Sequence, residues 1–409
     1  MFTSAFVVTM IVGWLMPVQT PPRPATPAQD KRPVAPGSYV GTQACRQCHK
    51  DKVDSFLKTA HHRTSALPTR ESILGKFTPD ANVLTTSNPR LFFKMETVDG
   101  GFSQSAVVGT PPDTTSRSER FGLVTGSGKK GQTYLFWKGD QLFQLPISYW
   151  TESRQWINSP GYADGTANFD RAVVPRCLEC HATYFESLSS ALDRTRGVDN
   201  HYQTSGFIVG IACEKCHGPG TDHVARPRAS RTAPAGPIVN PARQPRDRQM
   251  DTCAVCHAGP VLSARAPAFS YVPGQPLEEY FDVRRSGAGR LDVHGSQTEM
   301  LRASRCFMSS AMTCTTCHNV HVVQRDTAAL SARCATCHKV DSCPTFKQAG
   351  RQIAGKCVDC HMPNMPTAQI VLAANGTRVQ PLVRAHWIKV YPEESRRVLN
   401  GLAGSRGRQ

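Results

Sequence analysis

No long hydrophobic run occurs in this sequence. Its one apolar stretch, MFTSAFVVTMIVGWLM, is too short and too interrupted to be a convincing membrane span. It resembles the h-region of a secretory signal, but no Lys or Arg precedes it, so the positive n-region is lacking. Residues 1–28 are therefore expected to be a signal peptide or an N-terminal anchor, which leaves membrane association through that segment open. Proline and polar residues follow, and 29–38 reads as an extended linker. Acid is scarce as well: 31 Asp and Glu face 48 Lys and Arg, a formal charge of +17. That surplus alone would suit nucleic acid or an anionic membrane surface.

Cysteine is abundant and ordered. Seven times the chain spells C-x-x-C-H: CRQCH (Cys45, Cys48, His49), CLECH (Cys177, Cys180, His181), CEKCH (Cys213, Cys216, His217) and CAVCH (Cys253, Cys256, His257), then CTTCH (Cys314, Cys317, His318), CATCH (Cys334, Cys337, His338) and CVDCH (Cys357, Cys360, His361). Two thiols at this spacing add to the two vinyl groups of one haem, and the adjacent imidazole reaches the iron as proximal ligand. A single C-x-x-C also fits a zinc knuckle or a redox dithiol. Zinc does not require a histidine after the second cysteine, and here all seven pairs have one. Seven covalently bound haem c groups are the expectation.

Haem bears on core, charge and compartment. Packed porphyrins replace much of the aliphatic core of a 409-residue chain that is only 39% hydrophobic, so many loops and short elements are expected. Two propionates per haem, against a core charge of about +1 ferric and 0 ferrous, lower the total to about +10 oxidised and about +3 reduced. Nucleic-acid binding is then not expected, and arginines are free to pair with propionates. Covalent attachment occurs outside the cytoplasm, which makes the chain an exported one, periplasmic or extracellular.

The motifs are unevenly spread. Residues 39–80 hold the first; none lies between His49 and Cys177; residues 151–409 hold six. The motif-free stretch, 81–150, looks β-rich. LFFKMETV and FSQSAVV flank Asp99-Gly100-Gly101, a good hairpin turn, and FGLVT, TYLFW and QLFQL follow across GSGKKG and Gly139-Asp140. A small antiparallel meander is expected, either covering the first haem or docking a partner. Elsewhere short helices carry the motifs, with helical spacing of Val53, Phe56, Leu57 and Ala60 after CRQCH. Thr221 to Arg248, dense in Pro, Arg and Ala, reads as a long loop.

A sixth ligand on each iron separates a wire from an enzyme. Two strong ligands favour electron transfer, whereas one leaves a position for substrate. Seven histidines lie outside the motifs: His61, His62, His201, His223, His294, His321 and His386. His321 and His223 follow their own motifs too closely for the same iron but suit a neighbouring one. His61 and His62 diverge, serving two irons or one iron and the surface. His201 and His294 sit in polar, loop-like surroundings that also suit a solvated histidine; His386 is favoured as a ligand. Met300, Met308 and Met312 are nearby, but methionine is more often core filler. No C-x-x-C-K occurs, so a lysine-ligated catalytic haem has no support. Cys306 and Cys343 are left over and would most simply form a disulfide in an oxidising compartment.

YVGTQACRQCHKDKVDSFLKTAHHRTSA resembles the opening of multihaem c-type cytochromes related to the tetrahaem electron carrier of nitrifying bacteria. CEKCHGPGTDHV, SRCFMSSAMTCTTCHNVH and CVDCHMP are similar to further blocks of that group. The resemblance implies a mainly α fold with extensive loops, organised around closely stacked, mostly bis-histidine haems, with the β-meander as an insert. By motif it also implies distal ligands at His61, His223, His321, His294 and His386. The expected function is electron transfer between redox partner proteins, with an oligomer or filament open as a variant. The alternative is an oxidoreductase with one open iron acting on a small nitrogen or sulfur compound, whose catalytic residues the sequence does not name.

Overall fold

The computed structural model describes residues 31–406, apart from 32, 35, 189–198, 226–237, 286–288, 290 and 375. The N-terminal segment expected as signal or anchor lies outside the described residues. No helix among the described residues is long and apolar enough to cross a membrane.

The expectation of a mainly helical chain is overturned. The described residues carry strands in five antiparallel sheets beside helices that are mostly one or two turns long. Two sheets form around the motif-free stretch. The first is β2 (Val83–Thr85), β3 (Leu91–Val98), β4 (Gly101–Thr110) and β5 (Asp113–Arg120) in sequential order, after a short β1 (Ser65–Ala66) that belongs to the second. The second runs through β1, β6 (Leu123–Thr125), β7 (Gly131–Lys138), β9 (Ile147–Trp150) and β10 (Gln155–Asn158), with β8 (Gln141–Gln144) also on β7. It continues into the hairpin Leu372–Ala374 and Thr377–Val379, so C-terminal residues complete a sheet begun near the first motif.

The β3–β4 turn forms at Asp99 and Gly100, both at positive φ (47° and 70°), the backbone that a two-residue hairpin with native twist demands. Alternation along β3 sends Leu91, Phe93 and Met95 into the core, where β7 supplies Tyr134 and Phe136. Strand β5 escaped the sequence because nearly all of DTTSRSER is exposed, leaving no apolar alternation to read.

Helices elsewhere are short because a C-x-x-C-H needs only one turn to set its two thiols. Glu214–His217 and Cys314–Cys317 are such single turns. The first motif sits in Thr42–Phe56, whose backbone breaks at His49 (φ −116°, ψ 38°) before the helix resumes with Val53 and Phe56 buried. Within the segment expected as a loop, Thr221–Val224 is helical and Arg246 already opens the helix Arg246–His257, which ends on the fourth motif.

Candidate functional site, a cavity lined by the seven motifs

All seven motif histidines, and every motif cysteine except Cys177, line one connected cavity of about 3450 Å³. An ordinary ligand pocket holds roughly 300–1,000 Å³. The distal candidates divide cleanly: His61, His223, His294, His321 and His386 line the cavity, while His62 and His201 do not. His62 packs on Phe56, and His201 is tied to Asp140 at 3.0 Å.

Thiols of different motifs touch. Cys45 is in hydrogen-bond contact with Cys213, Cys180 with Cys256, Cys253 with Cys314, and Cys334 with Cys357. These contacts push one thiol down and its partner up; Cys180, Cys213 and Cys357 fall to about 7. Cys216 lies within electrostatic reach of Cys253, and Cys337 of Cys317. The motifs therefore run in space as CRQCH, CEKCH, CAVCH, CTTCH, CATCH and CVDCH, and CLECH branches off at CAVCH. Cys306 and Cys343 do not form the expected disulfide. Cys306 lies near Cys317 and Cys334, whereas Cys343 bonds Thr345 at 3.0 Å and lies near Cys360.

Four imidazole pairs face one another: His49 with His223 at 6.4 Å between ring centres, His217 with His321 at 6.1 Å, His257 with His61 at 6.1 Å and His318 with His386 at 6.3 Å. Two imidazoles on opposite faces of one iron, each at the roughly 2 Å of a metal–nitrogen bond, set their ring centres about 6 Å apart. Each pair joins a motif histidine to one outside the motifs. His294 lies within electrostatic reach of His181 and His257.

Second partners orient these rings. An Nδ1 bond fixes the tautomer and leaves Nε2 for a metal. His217 Nδ1 meets Val239 O at 2.8 Å, His361 Nδ1 meets Lys389 O at 2.9 Å and His386 Nδ1 meets Arg384 O at 3.0 Å. His257 and His181 use Gln297 and Thr64 at 3.2 and 3.3 Å. Desolvation by the surrounding protein, with His257 and His318 nearby, holds His61 and His386 down to about 4, so both are neutral, as metal ligands must be. The cavity, the facing rings and the disulfide-free thiol pairs fit haem.

The β-rich stretch reaches this cavity through its loop. Ser127 to Lys130 line it, and Lys129 lies within electrostatic reach of His318, so the insert meets the fifth motif. Segment 61–66 ties sheet to motifs: Ile211 N donates to His61 O (3.0 Å), Gly126 N to Thr64 O (2.7 Å) and Ser65 Oγ to His181 O (2.7 Å). Gly210 has positive φ, and a Cβ there would sit 2.1 Å from His62 O. Gly210→Ala is expected to displace His61 and convert one low-spin centre to high-spin, checked by electron paramagnetic resonance on the ferric protein.

Sequence reasoning missed two carboxylates inside the motifs. Glu214 of CEKCH is 1% exposed and accepts N–H groups of Val40 (2.9 Å), Gly41 (2.8 Å) and Gly220 (2.8 Å), clamping the start of the first motif's helix to the third motif. Glu179 of CLECH is 2% exposed, accepts Phe269 N at 2.9 Å and pairs with Arg176, which reaches Val255 O within the fourth motif. The available signal was an acid between the two cysteines of a motif in an acid-poor chain. Glu214→Ala strands one buried and two half-buried donors and is expected to cost about 2 kcal/mol or more, measurable by denaturant unfolding.

Known proteins agree with this architecture. Residues 132–218 match the family "Cytochrome c554 and c-prime". Together with seven C-x-x-C-H sequences on one cavity, that settles the class. The chain is a multihaem c-type cytochrome. It is 21% identical over 401 residues to the dissimilatory sulfite reductase MccA of Wolinella succinogenes, covering 82% of this chain and 52% of that protein. The cytochrome thus spans about half the length of that curated relative. The crystal structure of the outer cell wall cytochrome OcwA superposes with a TM-score of 0.50 at 16% identity, covering 88% of this chain and 81% of that one, a likeness of fold.

Proposed function

We propose that the cytochrome is an exported heptahaem electron carrier that passes electrons between redox partner proteins. The observation that carries this reading is the succession of motifs around one cavity, four neighbouring pairs in thiol contact and two more within electrostatic reach. When bound, haem supplies one-electron carriage between closely spaced irons. The chain supplies attachment, order and axial ligands. Cys45–Cys213, Cys180–Cys256, Cys253–Cys314 and Cys334–Cys357 set which sites are neighbours. With haem attached, His49, His217, His257 and His318 would each hold an iron together with His223, His321, His61 and His386 in turn, and His294 would serve His181. Bis-histidine ligation at these sites favours lower potentials than His/Met. Kinship with the tetrahaem carriers is part of this reading, supported by the family match over the second and third motifs.

Stopped-flow reduction tests it. Every haem is expected to be reduced by one donor through a connected path, and Cys253→Ala with Cys256→Ala, at the junction, should split the protein into groups of unequal rate. Equal single-phase reduction in that variant would sink the proposed order.

A second reading has specific support. His181, His338 and His361 face no imidazole among the ring pairs, only His181 has a further histidine, His294, within electrostatic reach, and a relative of half-shared length is named a sulfite reductase. An oxidoreductase acting on a small sulfur or nitrogen compound would use one of those irons.

A further inference from the structure

His294 lines the cavity within electrostatic reach of His181 and His257. The ring of His386 is held by a carbonyl at Nδ1, but no hydrogen bond holds the ring of His294 among the described residues. The place of that ring therefore follows from its backbone.

That backbone is fixed from behind the cavity wall. Asp292 Oδ1 accepts the N–H of His294 at 2.8 Å and the hydroxyl of Thr367 at 2.6 Å. Its Oδ2 accepts the N–H of Ala368 at 2.6 Å. Bonds to a carboxylate are stronger than neutral ones, and three converge here. Thr367 is 0% exposed, and neither it nor Asp292 lines the cavity, so the clamp is protein packed on protein. Thr367 directly follows the strand Asn364–Pro366, which leaves the seventh motif and pairs with Leu382–Arg384. Past His294 the chain turns at Gly295 (φ 77°) toward the fourth motif. There Gln297 Oε1 meets His257 Nδ1 and Gln297 Nε2 donates to Val293 O, both at 3.2 Å, while Thr298 Oγ1 donates to His257 O at 3.0 Å. None of these bonds uses Asp292, so the fourth motif is held separately.

We propose that Asp292 is the positioning residue for the distal ligand of the CLECH iron. Its carboxylate fixes where His294 stands and makes that place depend on the strand leaving CVDCH. The second and seventh motifs, far apart in sequence, thus share one carboxylate. This rests on the carrier reading, in which His294 serves His181.

The test compares matured wild type, His294→Ala, Asp292→Ala, Asp292→Asn and Thr367→Val by electron paramagnetic resonance of the ferric protein, with haem counted by mass. H294A identifies the centre, replacing one low-spin signal by a high-spin one. In D292A that same signal should fall by about half or more, with every haem attached and the signal that H61A removes left intact. Asparagine keeps an oxygen for both Oδ1 bonds, so D292N should retain most of what D292A loses. T367V removes one donor and should move the same signal the same way by less; it serves alone if D292A fails to mature. An unchanged signal in D292A overturns the proposal, and so does a uniform loss of all low-spin signals. D292N no better than D292A would put the effect in charge rather than in those bonds, and overturns it too. If H294A leaves every low-spin signal in place, the ligand assignment of the carrier reading fails and this inference with it. If H294A acts and D292A does not, this inference fails alone.

Discussion

A chain denied haem attachment is expected not to fold. The cavity it would have to keep measures about 3450 Å³. Unfilled space costs stability through lost packing, and this space is far larger than any ordinary packing defect. Water can fill it, but water supplies none of the apolar packing that porphyrins would, and net domain stability is only about 5–15 kcal/mol. Most elements around the cavity are single turns that cannot persist alone. The unmatured polypeptide should therefore give no cooperative thermal transition in circular dichroism. A sharp transition in haem-free protein would show that side chains, not porphyrins, hold the motifs together.

The ligand variants carry the second large effect. His223→Ala, His321→Ala, His61→Ala and His386→Ala should each retain every haem by mass and turn one low-spin ferric centre high-spin. His62→Ala and His201→Ala should leave the spectrum as it is, because neither ring lines the cavity. The contrast between His61 and His62 is the sharpest part, since the two differ by one position in sequence. If His62→Ala changed spin state and His61→Ala did not, the pairing of His61 with His257 would be wrong.

Sequence made the attachment sites plain because covalent chemistry fixes their spelling. It also placed β3, β4, β7 and β8, where alternation and a Gly-containing turn coincide. It could not show β5, whose faces are both exposed, nor the hairpin Leu372–Ala374 and Thr377–Val379, which joins a sheet more than two hundred residues away. The helical bias came from resemblance and from short periodic stretches. A motif turn ends when its thiols are set, so the helices stay short and the strands between them count for more. Spacing excluded His321 from its own motif's iron, yet only the fold sets it opposite His217. Glu179 and Glu214 were hidden inside motifs read solely for their cysteines.

The most direct test of the whole account is an iron-edge anomalous difference map from crystals of the matured protein. Seven iron peaks are expected in one cavity, ordered from CRQCH through CEKCH, CAVCH, CTTCH and CATCH to CVDCH, with the CLECH iron beside that of CAVCH. His223, His321, His61 and His386 should lie on the four irons opposite His49, His217, His257 and His318. Fewer peaks, or irons whose neighbours break that order, would contradict it.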